Sequence, residues 1–405
     1  MMKQIRLLLF IFILWKSFDT VTAYIVHIFD NYHEHFTYGF QLSHYDPYIP
    51  PFLLSFANYD GANYLHIAHE GYGMYMQAYF PLFPLLIHIF SPLFGNGFFL
   101  AGFFIANLSF FLGLYFFKKY LEAIGKKKRT IYWIILLLLV YPLSFFFGAV
   151  YTEGLFFLLV TAVLYFSQKK QYTLVIILSV LASLTRLMGV FLFIPLFTAF
   201  VLEQQKFHLK GKPIKERLIQ FLWLIRKNWK MVIISMSPML GLFCYLVYLY
   251  ITAHDPFYFY HAVSSFHTGR TTSHLIFLPQ VYYRYFAIFL KASHTFTYYI
   301  AILEFIIFNL FFWILLFDLW QLWKNKKKEA RMSLLGLNLF SLVNLILPTL
   351  TGTMTSIPRY ALFSLSFFLW IAEIRKLWIK VLLLCLFILF HIILLSLFVQ
   401  GYFIS

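Results

Sequence analysis

Seven runs of 19 to 24 largely apolar residues recur along this chain, at about 7–28, 98–117, 131–150, 231–251, 296–319, 332–350 and 377–400. Clusters of Lys and Arg stand at many of their ends. A helix of ~20 such residues matches the hydrocarbon thickness of a bilayer. Shorter runs lie at about 153–167 and 358–373. The composition excludes the alternatives: 62% of the 405 residues are hydrophobic and only 12% are charged, against ~25% in soluble domains. Fifty-three Phe and 29 Tyr exceed what a soluble interior of this size can bury. An ordinary soluble enzyme, a disordered chain and a nucleic-acid-binding protein are thereby set aside. Cys244 and Cys385 both sit in apolar runs and offer neither a disulfide framework nor metal-site spacing. The reading is an all-α polytopic membrane protein.

The basic residues give it an orientation. Lys3 and Arg6, Lys118–Arg129, Lys169 and Lys170, Lys206–Lys230, Lys324–Arg331 and Arg375–Lys380 hold 26 of the 32 Lys and Arg. If all six clusters are cytoplasmic, the positive-inside rule is satisfied throughout. The net charge of +17 is then mostly topology, and the partner it implies is anionic lipid. Parity has consequences. Residues 172–203 lie between two cytoplasmic clusters, so they are read as two short helices meeting outside near Thr185–Gly189. Residues 79–94, broken by Pro81, Pro84 and Pro92, are read as re-entrant or interfacial. The expectation is about eleven spans plus one partial. Lys16 and Asp19 interrupt the first apolar stretch before any small-residue cleavage site, so it is read as an uncleaved span rather than a signal peptide.

On the outer side lie Arg186, Arg270, Arg284, Lys291 and Arg359, with Asp30, Glu34, Asp46, Asp60, Glu70, Glu153 and Asp255. The two long outer segments, 30–78 and 252–295, read as loops with short interfacial helices on a single domain spanning 1–405. Asp60 can cap or open a short helix that Gly71 stops. There its carboxylate lies at the positive end of the helix dipole, able to take a proton from a hydroxyl. Glu153, Arg186 and Arg359 fall at span edges, where an ionisable side chain is costly unless paired or facing a wet cavity. Two cations there exceed one anion, which leaves room for a phosphate; the plain alternative is that Glu153 pairs with an Arg to hold the bundle. His66 and Glu70 share a helical face, yet the Glu lies outside the His66/His69 pair, unlike either zinc-protease order. A divalent metal is therefore not indicated, and no cofactor is expected. There is no Gly-rich phosphate loop and no Ser nucleophile elbow, so the energy of any outer-face reaction must come from a preactivated, lipid-linked substrate.

These residues resemble a known family. Tyr59-Asp60-Gly-Ala-Asn-Tyr64-Leu-His-Ile-Ala68-His-Glu-Gly71-Tyr72, followed by Phe80-Pro81-Leu-Phe-Pro84, is similar to the signature of PIG-V-type mannosyltransferases. The similarity continues through Tyr141-Pro142, Ala149-Val-Tyr151-Thr152-Glu153, Leu184-Thr-Arg186-Leu-Met-Gly189 and Pro358-Arg359-Tyr360, in order from about 55 to 375. Asn58 and Tyr59 stand where Arg-Trp is usual, and Gly61 where Ala is usual. The resemblance implies a GT-C-like bundle that transfers a sugar, with inversion, from a polyprenyl-phosphate donor to a lipid or polymer acceptor. The reaction would lie on the non-cytoplasmic face, of a bacterial plasma membrane or of a eukaryotic lumen. It also assigns Asp60 as the catalytic base. Arg186 and Arg359 would hold the donor phosphate, and Glu153, His66 and Glu70 would orient them or the acceptor. Tyr64, Tyr72 and Tyr151 are candidates for the sugar wall, and the Phe excess for a lining of the lipid groove. A transporter or flippase of a lipid-linked saccharide is the competing reading, weakened by mid-span positions that look nearly charge-free apart from Lys16 and Glu304. A non-catalytic scaffold would leave the charged set scattered.

Overall fold

The computed structural model describes residues 2–29, 46, 48–202, 214–266, 269–324 and 331–404. Asp30 and Glu34, three His of the first outer segment and part of two basic clusters lie outside them. Every regular element among the described residues is helical. We label the principal helices α1 (Met2–Phe29), α2 (Asp60–Glu70), α3 (Leu82–Phe90), α4 (Phe98–Ala123), α5 (Lys128–Leu139), α6 (Glu153–Gln168), α7 (Tyr172–Thr185), α8 (Pro238–Ala253), α9 (Leu278–Lys291), α10 (Phe296–Lys324), α11 (Arg331–Ile346), α12 (Leu365–Glu373) and α13 (Leu377–Val399).

Among the described residues, five helical stretches are long and apolar enough to cross a membrane: Ile5–Phe29, Phe98–Ala123, Phe296–Lys324, Arg331–Thr351 and Leu377–Val399. A sixth is reached if Trp229–Ser235 and α8, bent by 51° at Pro238, count as one span. Pro removes an amide donor and crowds the preceding turn, which accounts for the bend. The chain is thus an α-helical protein with the helices of a membrane protein. α13 shows why: Leu382, Leu386, Leu389 and Ile393 are exposed along one side, as a lipid-facing surface requires.

The remaining apolar helices are short. Leu82–Phe94, Glu153–Gln168, Tyr172–Thr185 and Leu187–Val201 run to fewer than 18 residues each. The segment 172–202 does break where parity required. α7 ends at Thr185, Arg186 is extended (φ −154°, ψ 145°), and helix resumes at Leu187.

α4 and α6 pack closely because Gly154 has no side chain; a Cβ there would collide with the carbonyls of Ala106 and Phe147. Around them the aromatic excess forms a core. Phe110 stacks on Phe147 at 4.3 Å, and Phe311 on Phe367 at 3.7 Å. Asp46 accepts the amide of Phe99 at 2.6 Å and so closes the first turn of α4 from a distance.

The mid-span positions are less apolar than the sequence reading held. Asp19 of α1 bonds His391 Nε2 of α13 at 2.8 Å, both almost fully buried. The other ring nitrogen lies 3.1 Å from Tyr141 O and 3.2 Å from Ser144 Oγ. Asp318 of α10 accepts from Asn338 of α11 (2.8 Å) and Ser366 of α12 (3.0 Å). Asp19 was visible in the sequence as an interruption of the first span, but these pairings were not, because the partners lie tens to hundreds of positions away. They link helices and do not line the main cavity.

Candidate functional site

The first site residue owes its place to a strained neighbour. Tyr59, just before α2, has φ +58° and ψ −114°, a conformation that side-chain-bearing residues rarely adopt. Several contacts hold it there. Asn58, fully buried, donates to Phe398 O at 2.9 Å and accepts from the Tyr151 hydroxyl at 2.6 Å through its own carbonyl. The Tyr59 hydroxyl donates to Gly401 O, and its ring packs edge-on against Phe403. Asn58 and Tyr59 therefore grip the end of α13 and the segment after it.

Asp60 follows as the first residue of α2, and Gly71 stops that helix with φ +89°. The Asp60 side chain does not simply cap the helix. Its Oδ2 accepts from Arg359 Nη1 at 2.6 Å and its Oδ1 from the Tyr79 hydroxyl at 3.1 Å. Arg359, in the short helix Ile357–Tyr360, also places Nε 3.4 Å from Glu153 Oε1, without hydrogen-bond geometry. Glu153, the first residue of α6 and only 1% exposed, accepts with the same oxygen from Arg186 Nη1 at 2.5 Å. Arg186 sits on the extended break after α7 and also donates to Thr152 Oγ1 at 3.1 Å. Asp60, Arg359, Glu153 and Arg186 thus form one continuous row of alternating charge. Aromatic faces support it: Tyr151 and Phe146 under Arg359 at 5.4 Å each, Tyr360 under Arg186 at 5.3 Å.

This corrects the charge balance expected from sequence. Two arginines do not exceed one carboxylate, because Asp60 joins Glu153 and the row is two against two. Such an arrangement is costly to desolvate, and it persists because each member is paired. The other outer carboxylates go elsewhere. Glu70 pairs with His69 at the exposed end of α2. Asp255 accepts from His261 Nδ1 at 2.6 Å, which holds its carboxyl below the usual range.

The row opens on a cavity of about 1200 Å³. Tyr64 and Tyr151 line it with the four charged residues. Burial raises the phenol of Tyr64, and the Asp60 carboxylate raises it further, so it stays protonated and can donate or accept. Tyr72, His66 and Glu70 are not among the lining residues. The Tyr72 hydroxyl instead donates to Tyr79 O at 2.7 Å, fixing the turn that carries Tyr79. Among the described residues, five Phe line the cavity: Phe80, Phe259, Phe266, Phe296 and Phe403. The described Phe residues therefore mostly pack the bundle, and Tyr supplies more of the aromatic wall than Phe does. Among the described residues no three His, Cys, Asp or Glu side chains gather as a metal site.

Sequence reasoning missed Tyr79, Asn63, Tyr285 and residues 400–404 and read Glu304 only as a mid-span charge; all of them line the cavity. Asn63 Nδ2 donates to Tyr79 Oη at 2.9 Å, so it sets the hydroxyl that Asp60 receives. An Asn one turn after Asp60 was the one local signal available. Comparison with family models, curated proteins and solved structures finds no match.

Proposed function

We propose that this chain is a membrane glycosyltransferase of the GT-C type, akin to the PIG-V-type mannosyltransferases. It moves a hexose, mannose by the resemblance, from a polyprenyl-phosphate donor to a hydroxyl of a lipid or polymer acceptor. The observation that carries this reading is the meeting of Asp60 and Arg359, 299 positions apart, at 2.6 Å, in one cavity with Glu153 and Arg186. A scattered set would have favoured a scaffold. The cavity exceeds the ~300–1,000 Å³ of pockets for single drug-sized ligands, in keeping with a site for two substrates, one with an isoprenoid tail.

In the proposed reaction Asp60 accepts the proton of the acceptor hydroxyl as that oxygen attacks the anomeric carbon. The bond from that carbon to the phosphate oxygen breaks, and the electron pair leaves with the phosphate. Arg359 and Arg186 meet the growing negative charge with guanidinium donors. Because Arg359 rests on Asp60, an arriving phosphate competes for it and leaves the carboxylate free for the hydroxyl. Glu153 keeps both arginines aimed at one place. We place about eleven crossings in a plasma membrane, with the cavity facing away from the cytoplasm and the clusters of Lys and Arg facing it.

The test is incubation of purified protein with radiolabelled polyprenyl-phosphate mannose, or glucose, plus a membrane-lipid extract. Labelled product from the native protein is expected. Asp60→Asn should lower its formation by about 10²–10⁴-fold while donor binding stays intact. Full activity in that variant would sink the role of Asp60. Movement of the donor across a vesicle with no transfer would favour the flippase.

A further inference from the structure

Four arginines line the cavity, and they differ in what neutralises them. Arg186 and Arg359 are matched by Glu153 and Asp60. Arg270 and Arg284, on the second outer segment, have no carboxylate within ion-pair distance among the described residues. Glu304, the third carboxylate of the wall, is buried and engaged by the Tyr285 hydroxyl at 2.7 Å and by Ser356 N at 3.3 Å. Arg270 reaches it only through space.

Backbone holds these two arginines in place. Arg270 Nη2 donates to Thr355 O at 2.9 Å and Ser356 Oγ at 3.1 Å, and its Nε is buried with no partner. Arg284 Nη1 donates to Gly352 O at 3.1 Å. All three acceptors lie on 352–356. Two main-chain bonds, Thr271 N to Thr351 O and Ile276 N to Leu350 O, both 2.9 Å, fasten the loop carrying Arg270 to the adjoining turn. Gly352 has φ +94°, and any side chain there would collide with Arg284 Nη1. The turn is shaped around a guanidinium.

A half-buried guanidinium with an unused donor and no carboxylate in direct contact is a costly arrangement unless an anion completes it. We infer that Arg270 and Arg284 form a phosphate-ester subsite, separate from the carboxylate-matched pair. The inference deepens the transferase reading and rests on it for the kind of ester. The anion is either the isoprenoid phosphate of the donor or the phosphodiester of an acceptor headgroup. In both cases it lies on the segment that leads directly into Pro358-Arg359, so its binding bears on the residue that holds Asp60.

Binding, read without turnover, tests this. A short polyprenyl phosphate, the matching polyprenol, glycerophosphoinositol and inorganic phosphate are titrated calorimetrically into the purified full chain and into Arg270→Gln and Arg284→Gln. Loss of a charge-assisted bond should weaken the phosphate ester about tenfold or more and leave the polyprenol unchanged. Weakening confined to polyprenyl phosphate assigns the subsite to the donor, and weakening confined to glycerophosphoinositol assigns it to the acceptor. Unchanged affinity for every phosphate probe overturns the proposal. If the variants misfold, phenylglyoxal modification of the native protein decides. Arg270 and Arg284 should be protected by the phosphate ester and not by the polyprenol, and equal modification in its presence and absence overturns the subsite. Absence of any sugar transfer would sink the enzyme reading and leave these binding results standing.

Discussion

Glu153 is the residue on which the charged row depends. One of its oxygens serves both Arg186 and Arg359, and it is itself buried. Removing one partner from a buried ionic set leaves the others uncompensated, at a cost of about 3–5 kcal/mol. Glu153→Gln is therefore expected to destabilise the protein by that order, read as a lower unfolding temperature in detergent. Unchanged stability would mean that water or lipid already neutralises the arginines. Asp60 is held differently. Its position follows from the backbone of Tyr59 and from the hydroxyl of Tyr79, so on the proposed reading it stays aimed when a phosphate draws Arg359 away. The residues alone left Asp60 open between a cap and a proton acceptor and read Arg186 and Arg359 as surplus charge, because helix-start chemistry is local and ion pairing across 299 positions is not.

Among the elements, α1 and α13 are joined by Asp19 and His391, 372 positions apart. Asp19 keeps one carboxylate oxygen without a partner, so the pair is already incompletely satisfied. Asp19→Leu or His391→Leu alone should cost about 3–5 kcal/mol, and the double variant much less, since it leaves no unpaired buried group. Thermal unfolding of the three variants measures this; additive losses would show that the two residues act independently. The elements themselves were largely legible. The stop at Gly71 and the break at Arg186 follow from local chemistry and from the sign of the flanking charges. The cavity wall was not. Arg270 reaches it through the pairing of Thr271 with Thr351 and of Ile276 with Leu350. Neither stretch has a periodicity that announces its partner. The fate of the Phe residues was illegible for another reason: a Phe packed in a bundle and a Phe lining a groove have the same sequence signature.

For the whole molecule, five or six helices among the described residues have the length to cross a bilayer unaided, and four more apolar helices are shorter. Short helices around a polar cavity are what a bundle needs if its site lies at the membrane edge rather than at its centre. Orientation is then testable with single cysteines in a chain freed of Cys244 and Cys385. Ser273→Cys, exposed beside Arg270, should react with a membrane-impermeant maleimide from outside. Lys127→Cys, exposed before α5, should react only after permeabilisation. The reverse pattern would turn the molecule over and put the cavity in the cytoplasm.

The grip of Asn58 and Tyr59 on Phe398 and Gly401 sets an order of assembly. Ribosomal synthesis delivers α13 after every other described helix, so until it inserts, the backbone bend before Asp60 keeps the Tyr151 contact and lacks those to Phe398 and Gly401. A partly translated chain carries all four members of the charged row yet lacks the brace that aims the first of them. On the proposed transferase reading, competence therefore waits on α13, and a nascent chain halted short of that helix lacks the contacts that aim Asp60.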